Sequence, residues 1–164
     1  MSDDKAPNEA KQNQAKQKQG KRVPVANRRK SRKLIMQATY QWLLSDNEPL
    51  DIAKQFHEDT YGKIDWDYFD EIFREIPRQA EELEALYLPL LDRKPESLDP
   101  IEKSLLLLGT FEMAHRVDIP YRVVINECVE LAKTFGATDS HKYINGVLDK
   151  LAPQLRSAET QAKS

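Results

Sequence analysis

The chain has 164 residues, 40% of them hydrophobic, which is enough for one ordinary domain with a lean core. Residues 1–33 contain 11 Lys/Arg against 3 Asp/Glu, a net charge of +8, whereas residues 34–164 contain 14 against 24, a net charge of −10. A cationic segment therefore precedes an anionic body. This asymmetry predicts an anionic partner for the first segment and a basic partner for the body.

What the sequence lacks excludes or disfavours several classes of protein. The single cysteine, Cys128, rules out an intramolecular disulfide, and no histidine has zinc-ligand spacing to it. No apolar run approaches the roughly 20 residues that cross a bilayer, and no secretory signal is visible, so we expect a cytoplasmic protein. The GxGxxG, GxxxxGKS/T and GxSxG patterns are missing. We therefore expect no enzyme, no cofactor and no metal site.

Residues 1–26 come first in chain order and contain no Leu, Ile, Phe, Trp or Tyr. They cannot bury enough apolar surface to offset the entropy of ordering, so we expect a disordered basic arm. From residue 27 the apolar residues recur at helical spacing, which predicts an all-α domain over 27–156 and a flexible tail over 157–164. The expected helices cover about 28–45, 49–59, 65–92, 100–117, 120–135 and 139–156.

Local signals refine two of these helices. The third is expected to be interrupted near Pro77 and again near Pro89, because proline lacks a backbone donor and its ring clashes with the preceding turn. The fourth has the clearest start, the run DPIE at 99–102. Asp is a good N-cap, Pro suits the first helical position, and Glu102 can complete a capping box.

Two glycines in the last two helices are given specific roles. The fifth helix ends at Phe135-Gly136, and Gly136 is expected to adopt the left-handed conformation that ends many helices. Gly146, next to Asn145, lies inside the sixth helix, where glycine costs about 1 kcal/mol relative to alanine. Its presence predicts that another helix packs closely against this position.

The run IPYRVVINECVELAKTFGATDSHKYINGVLDKLAP, at 119–153, closely resembles the NusB family of transcription antitermination factors. The Pro-Tyr, INE, ELAK, FG and NGVLDK motifs follow one another in the family's order and at its spacing. RRKSRKLIMQATYQW, at 28–42, resembles the family's Arg-rich opening helix, and SLDPIEKSLLLLGTFEM, at 97–113, resembles its fourth helix. The resemblance covers about residues 27–156.

This resemblance implies a fold of two small helical subdomains packed together. It implies binding to the boxA element of nascent RNA as a heterodimer with NusE, a protein that also serves in the small ribosomal subunit. Together with RNA polymerase and other Nus factors, that dimer promotes processive transcription of ribosomal RNA operons. The family also contains homodimers that hide the RNA surface, and the sequence leaves the association state open.

The basic cluster at 28–33 is the first predicted RNA-binding element. Cations at a helix N-terminus oppose the macrodipole by some 0.3–1 kcal/mol each, which favours a phosphate counter-charge over a merely solvated helix start. The resemblance places the RNA-binding role on Arg28, Arg29 and Arg32, beside Lys30 and Lys33 of the same cluster.

The turn and helix start after the FG motif form the second RNA-binding element that the resemblance implies. Lys142 can meet a phosphate, and Tyr143 can stack on a base, a contact worth roughly 1–3 kcal/mol. The alternative for Tyr143 is packing in the core of the last helix. Asp139 is either a helix cap or a residue that tunes RNA affinity.

The resemblance also points to Tyr40 and Glu102 as positions that face NusE. The alternative for Tyr40 is core packing, and the capping box alone accounts for Glu102. One departure from the family is Leu107, where many relatives have arginine. Any polar link made by that arginine is in doubt here, whereas the RNA cluster is unaffected.

Two other functions compete with this interpretation. A helical protein-interaction module without specific RNA binding would leave the cluster at 28–33 unexplained. A NusB-like domain also begins certain ribosomal RNA cytosine methyltransferases, but the eight residues after Arg156 are expected to leave no room for a cofactor-binding sheet. The lysines of the arm either add weak, salt-sensitive RNA affinity or only solubilise the protein.

Overall fold

The computed structural model describes residues 24–162, so most of the expected disordered arm lies outside the described residues. Within this range the regular structure is entirely helical, which confirms the predicted all-α class, and no helix is long and apolar enough to cross a membrane. The α-helices are α1 Val25–Leu44, α2 Pro49–Asp59, α3 Trp66–Tyr87, α4 Pro100–His115, α5 Tyr121–Phe135, α6 Ser140–Leu155 and α7 Ser157–Gln161. Two 3-10 turns, Leu88–Leu90 and Pro95–Ser97, lie between α3 and α4.

The first helix begins earlier than the spacing predicts. Val25 is its first residue, and the carbonyl of Pro24 accepts from the amides of Asn27 and Arg28 at 2.9 and 3.3 Å. Residues 25 and 26 are therefore helical and do not belong to a disordered arm. The earlier start also moves most of the basic cluster beyond the first turn, where the macrodipole has largely fallen off.

The last described residues are helical too, where the sequence predicts a flexible tail. The guanidinium of Arg156 donates to Glu159 at 2.7 Å, and the other carboxylate oxygen of Glu159 accepts from the amide of Tyr121 at 2.8 Å. These contacts tie α7 to the start of α5. The expectation of a flexible tail is therefore wrong as far as Gln161.

Helix α4 lies at the centre of the fold. Every residue from Ser104 to Met113 is buried, because α4 contacts α1 and α3 from the N-terminal half of the chain and α5 and α6 from the C-terminal half. Helix α4 therefore joins the helices α1 and α3 to the pair α5 and α6, and the division into two subdomains that the resemblance implies stays a prediction. Leu107 is fully buried in this core, so an arginine at this position would need a buried partner.

Side chains form hydrogen bonds with backbone groups at both ends of α4. At the N-terminus the predicted capping box is present: Asp99 accepts from the amide of Glu102 at 2.8 Å, and Glu102 accepts from the amide of Asp99 at 3.1 Å. At the C-terminus the buried guanidinium of Arg156 donates to three backbone carbonyls. These are the carbonyls of Glu112, Met113 and Arg116, at 3.2, 2.8 and 2.8 Å.

The two prolines of the third predicted helix act differently. Helix α3 runs through Pro77 without a break, so the interruption predicted there is wrong. Phe73 and Ile76 beside it are fully buried, and this packing holds the helix together despite the lost backbone hydrogen bond. The second interruption is confirmed, since α3 ends just before the 3-10 turn that contains Pro89.

Gly136 ends α5 as predicted but not in the predicted conformation. Its φ of −88° and ψ of 173° are extended, so the expected left-handed conformation is wrong. A Cβ at this position would lie 2.7 Å from the carbonyl oxygen of Ala132 and 2.9 Å from Cβ of Ser140. Glycine is needed here because the start of α6 passes too close for a side chain.

The close helix packing predicted at Gly146 is wrong. A Cβ at Gly146 would meet nothing within 4 Å. Gly109 on α4 has that role instead, because a Cβ there would lie 3.0 Å from the methyl groups of Leu148. The structural core therefore accounts for Gly109 but gives no reason for a glycine at 146.

Candidate RNA-binding surface

The basic cluster of α1 divides between the surface and the interior. Arg29, Lys30 and Lys33 are exposed and Arg28 is half-buried, whereas Arg32 retains only 3% of its exposed area. Successive residues of an α-helix point in directions about 100° apart, so five closely spaced cations cannot all face outward from a helix that packs on a core. The cluster therefore gives at most four surface cations.

Arg32 is held inside the protein by a full set of partners. Its Nε donates to the two carboxylate oxygens of Glu112 at 3.0 and 3.2 Å, and its Nη2 donates to Glu112 at 3.1 Å and to the Tyr68 hydroxyl at 3.2 Å. The Tyr68 hydroxyl in turn donates to Glu112 at 2.6 Å. The RNA contact predicted for Arg32 is therefore wrong, because its guanidinium is bound to a buried carboxylate.

Burial and charge fix the protonation states of this network. Burial lowers the pKa of Arg32, but the Glu112 carboxylate outweighs that effect and leaves the pKa above its ordinary value. Burial, reinforced by the same carboxylate, raises the pKa of Tyr68, so the phenol keeps its proton. The result is a fully paired buried charge that links α1, α3 and α4.

The outward-facing cations of α1 have weaker partners. Arg29 has a side chain that is 63% exposed, and its Nε donates to Glu127 on α5 at 2.9 Å. Lys33 holds its ammonium 5.8 Å from the centre of the Phe135 ring, and Lys30 is exposed. Exposed ion pairs of this kind contribute roughly 0–1 kcal/mol, so a phosphate can compete for Arg29.

Arg28 is intermediate between the buried Arg32 and the exposed cations of α1. Its guanidinium carbon is 4.6 Å from the centre of the Tyr68 ring, and its Nε is 3.9 Å from a carboxylate oxygen of Asp65. Asp65 is the N-cap of α3 and accepts from the amide of Tyr68 at 3.1 Å. Arg28 therefore supports the start of α3 while keeping 30% of its side chain exposed.

The end of α5 lies between the two predicted RNA-binding elements. Phe135, which Lys33 contacts, immediately precedes the turn that leads to Asp139 and Lys142. Asp139 occupies the N-cap position of α6, but its side chain makes no capping hydrogen bond, so the capping role is wrong. Its carboxylate instead lies 3.7 Å from the ammonium of Lys142, and both side chains are exposed.

Tyr143 is half-buried against the core, and one face of its ring is covered. The guanidinium carbon of Arg93 lies 3.7 Å from the ring centre. Arg93 also donates to Glu102 at 2.6 Å, and the same carboxylate oxygen accepts from the hydroxyl of Ser140 at 3.2 Å. Core packing is therefore part of the role of Tyr143, and a ligand cannot use the ring face that Arg93 covers.

The two positions predicted to face NusE lie in different environments. Tyr40 is 36% exposed and follows Lys33 by two helical turns, so both side chains lie along one face of α1. Core packing therefore does not explain Tyr40. Glu102 is only 4% exposed and is used by the capping box and by Arg93, so any influence on a partner passes through those neighbours.

Sequence reasoning missed Glu112 and Arg93. Glu112 carried a usable signal, because a carboxylate inside the apolar run SLLLLGTFEM requires a buried cation. Arg93 lies in the loop before α4, and nothing in its local sequence indicates that it reaches Tyr143.

The profile of the NusB family matches residues 29–153. The chain belongs to the NusB family. Transcription antitermination protein NusB of Cupriavidus pinatubonensis (strain JMP 134 / LMG 1197) is 48% identical over 146 residues, which cover 88% of this chain and 87% of that protein. The protein of the same name from Pseudomonas putida (strain W619) is 50% identical over 144 residues, which cover 87% of each chain.

A solved structure of NusB from T. maritima has the same fold. It superposes with a TM-score of 0.71 over 86% of this chain and 99% of that chain, at 23% sequence identity. The predicted NusB-like architecture is confirmed. Proteins of this family are transcription antitermination factors and not enzymes, so the expectation of a non-catalytic protein is also confirmed.

Proposed function

We propose that this protein binds boxA RNA together with NusE and thereby promotes processive transcription of ribosomal RNA operons. It acts in the cytoplasm, in a complex with RNA polymerase and other Nus factors. Membership in the NusB family supports the proposal at the level of antitermination. The surface chemistry of α1 and of the start of α6 supports its RNA-binding part.

The observation that carries the proposal is the position of three cations on α1. Arg29, Lys30 and Lys33 are exposed on successive turns, and the Glu127 partner of Arg29 is the one carboxylate that pairs with them among the described residues. A single-stranded RNA can neutralise several cations at once and releases its own counterions when it does so. Tyr143, at the adjoining turn, would add base stacking, which tolerates different sequences.

A basic protein partner fits the rest of the molecule. The net charge of −10 over residues 34–164 is attractive to a ribosomal protein that itself binds RNA. Tyr40 extends the exposed face of α1 beyond Lys33, so RNA and NusE would lie side by side along the same helix. This arrangement favours mutual strengthening of the two binding events.

Fluorescence anisotropy with labelled boxA RNA and a scrambled RNA, with and without NusE and over a salt series, tests the proposal. The informative variant is Arg29→Ala/Lys30→Ala/Lys33→Ala, since Arg32→Ala would disrupt the core instead. Each lost phosphate contact should flatten the log–log salt slope by about 0.7. We expect selective boxA binding that NusE strengthens and that the triple variant loses.

The matched control is Lys54→Ala/Lys63→Ala/Arg74→Ala, which removes three exposed cations elsewhere on the protein. It changes the net charge equally but leaves α1 intact, so it should retain boxA selectivity. If the two triple variants lost boxA binding equally, the loss would be explained by net charge alone. NusE binding without boxA selectivity in the unsubstituted protein would instead indicate a protein-interaction module.

A further inference from the structure

A groove of about 470 Å³ lies between α2 and α3. Its apolar part is formed by Pro49, Leu50 and Ala53 from the first turns of α2 and by Phe73 from α3. Phe73 is fully buried, whereas Leu50 is 79% exposed. Exposed apolar surface with a polar rim is typical of a site that binds a partner. Neither helix carries any of the predicted RNA-binding or NusE-facing residues.

Two carboxylates line the groove, and both have favourable partners within this chain. One carboxylate oxygen of Asp70 lies 2.7 Å from Nε2 of His57, a contact that links α3 to α2. Glu48 is the N-cap residue of α2, where the positive end of the helix dipole stabilises a negative charge. Neither carboxylate therefore needs a cation from a partner.

Two arginines also line the groove, and their charges are largely free. Arg74 is exposed and forms no ion pair among the described residues. Arg78 has a side chain that is 70% exposed, and its only ion pair within the described part of the chain is a 3.6 Å contact with Glu75. An exposed pair of this kind is weak. Because the two arginines are four positions apart, they lie on the same face of α3 and form one cationic edge of the groove.

The sign of this edge differs from that of the surrounding protein. Residues 34–164 carry a net charge of −10, which attracts basic partners to the body as a whole. At the groove, however, Arg74 and Arg78 present like charge to a basic protein such as NusE and opposite charge to a carboxylate. RNA phosphates also carry the right charge, but a sugar–phosphate backbone has no apolar side chain to cover Leu50. An acidic protein segment with apolar side chains matches both parts of the groove.

We propose that the groove between α2 and α3 docks an acidic amphipathic helix of a further protein partner. The apolar face of that helix lies against Leu50 and Ala53, and its carboxylates pair with Arg74 and Arg78. A helix that lays its apolar face into a groove is a common mode of peptide recognition. The inference goes beyond the proposed function, because the surface, the charge of the partner and the residues concerned all differ from those assigned to RNA and NusE.

Two synthetic peptides serve as probes in fluorescence anisotropy titrations of the full chain. The first is an amphipathic helix of about 18 residues with leucines along one face and glutamates beside them, and the second has lysine in place of every glutamate. The glutamate peptide should lose about tenfold in affinity with Arg74→Ala/Arg78→Ala, the combined effect of two exposed ion pairs. The lysine peptide is attracted only by the anionic body, so the same variant should not weaken its binding.

The apolar wall is tested with Leu50→Ser, which should weaken binding of the glutamate peptide by about tenfold or more, as expected for one apolar side chain that loses its buried contact. The matched control is Leu44→Ser, at a leucine that is 57% exposed but does not line the groove. For the arginines the control is Lys54→Ala/Lys63→Ala, two exposed cations outside the lining. Both controls should bind the glutamate peptide as the unsubstituted protein does. All four substituted side chains at the groove and its controls are exposed, so thermal melting monitored by circular dichroism should show every variant folded.

Three results would overturn the proposal. The first is a glutamate peptide that fails to bind the unsubstituted protein, or that binds the groove variants and their controls equally. The second is a loss of NusE binding in Leu50→Ser, which would make the groove part of the NusE surface. The third is a loss of affinity for a labelled single-stranded RNA in Arg74→Ala/Arg78→Ala but not in Leu50→Ser, which would make the arginines an RNA contact. None of these results depends on whether boxA RNA is bound selectively, so the proposed function is tested separately.

Discussion

The inner and outer faces of α1 use the same side chain in opposite ways. Arg32 faces inward, has a side chain that is 4% exposed, and donates to both carboxylate oxygens of Glu112 and to the hydroxyl of Tyr68. Arg29, one turn away, faces outward, is 63% exposed, and has a single contact with Glu127. The comparison shows that the direction of a residue on the helix, and not its type or its place in a basic run, decides whether an arginine builds the fold or meets a ligand.

The largest difference is expected in stability. Arg32→Ala leaves the Glu112 carboxylate buried without a counter-charge, so the free energy of unfolding should fall by about 3–5 kcal/mol. Arg29→Ala, the matched outer variant, should change it by less than about 1 kcal/mol. Urea unfolding followed by circular dichroism measures both. Similar losses in the two variants would contradict the division between inner and outer arginines.

A smaller effect is expected when the inner network loses one hydroxyl. Tyr68→Phe removes the 2.6 Å hydrogen bond to Glu112 but leaves the ion pair with Arg32, so the loss should be about 1–3 kcal/mol. Tyr61→Phe, at a side chain that is 90% exposed, is the control and should have no measurable effect. A loss as large as that of Arg32→Ala would mean that the hydroxyl, and not the charge pair, holds the network together.

The smallest effect is expected on the outer face of α1. It concerns RNA binding, which the substitution should strengthen. Glu127→Gln frees Arg29 from its carboxylate, so boxA RNA should bind up to about fivefold more tightly, the equivalent of a surface ion pair. Glu130→Gln removes the same charge from α5 but releases Lys133, which lies outside the basic cluster of α1. That control should gain less. Equal gains in boxA affinity for the two variants would mean that overall charge, and not the release of Arg29, causes the effect.

Local signals were enough for much of the fold. The helical spacing predicts α2 at its observed bounds, and the run at 99–102 gives both the start of α4 and its capping box. These features depend on residues a few positions apart. Gly136 shows the limit of such rules, because its position was predicted but the steric reason for it involves Ser140 of the next helix.

The candidate site was less predictable because its decisive partners are distant in sequence. Arg32 is turned inward by Tyr68 and Glu112, which lie 36 and 80 positions further along the chain. Tyr143 loses one ring face to Arg93, a loop residue with no pattern of its own. Spacing identifies which residues share a helix, but not which face of the helix meets the core.

The contacts that Arg156 makes with the end of α4 have a consequence for the order in which the chain can fold. The carbonyls of Met113 and Arg116 accept from this side chain, which lies 43 and 40 positions further along the chain. Non-local contacts of this kind form only after the intervening segment has closed into a loop. This end of α4 therefore gains its side-chain donors only once α5 and α6 have packed against it.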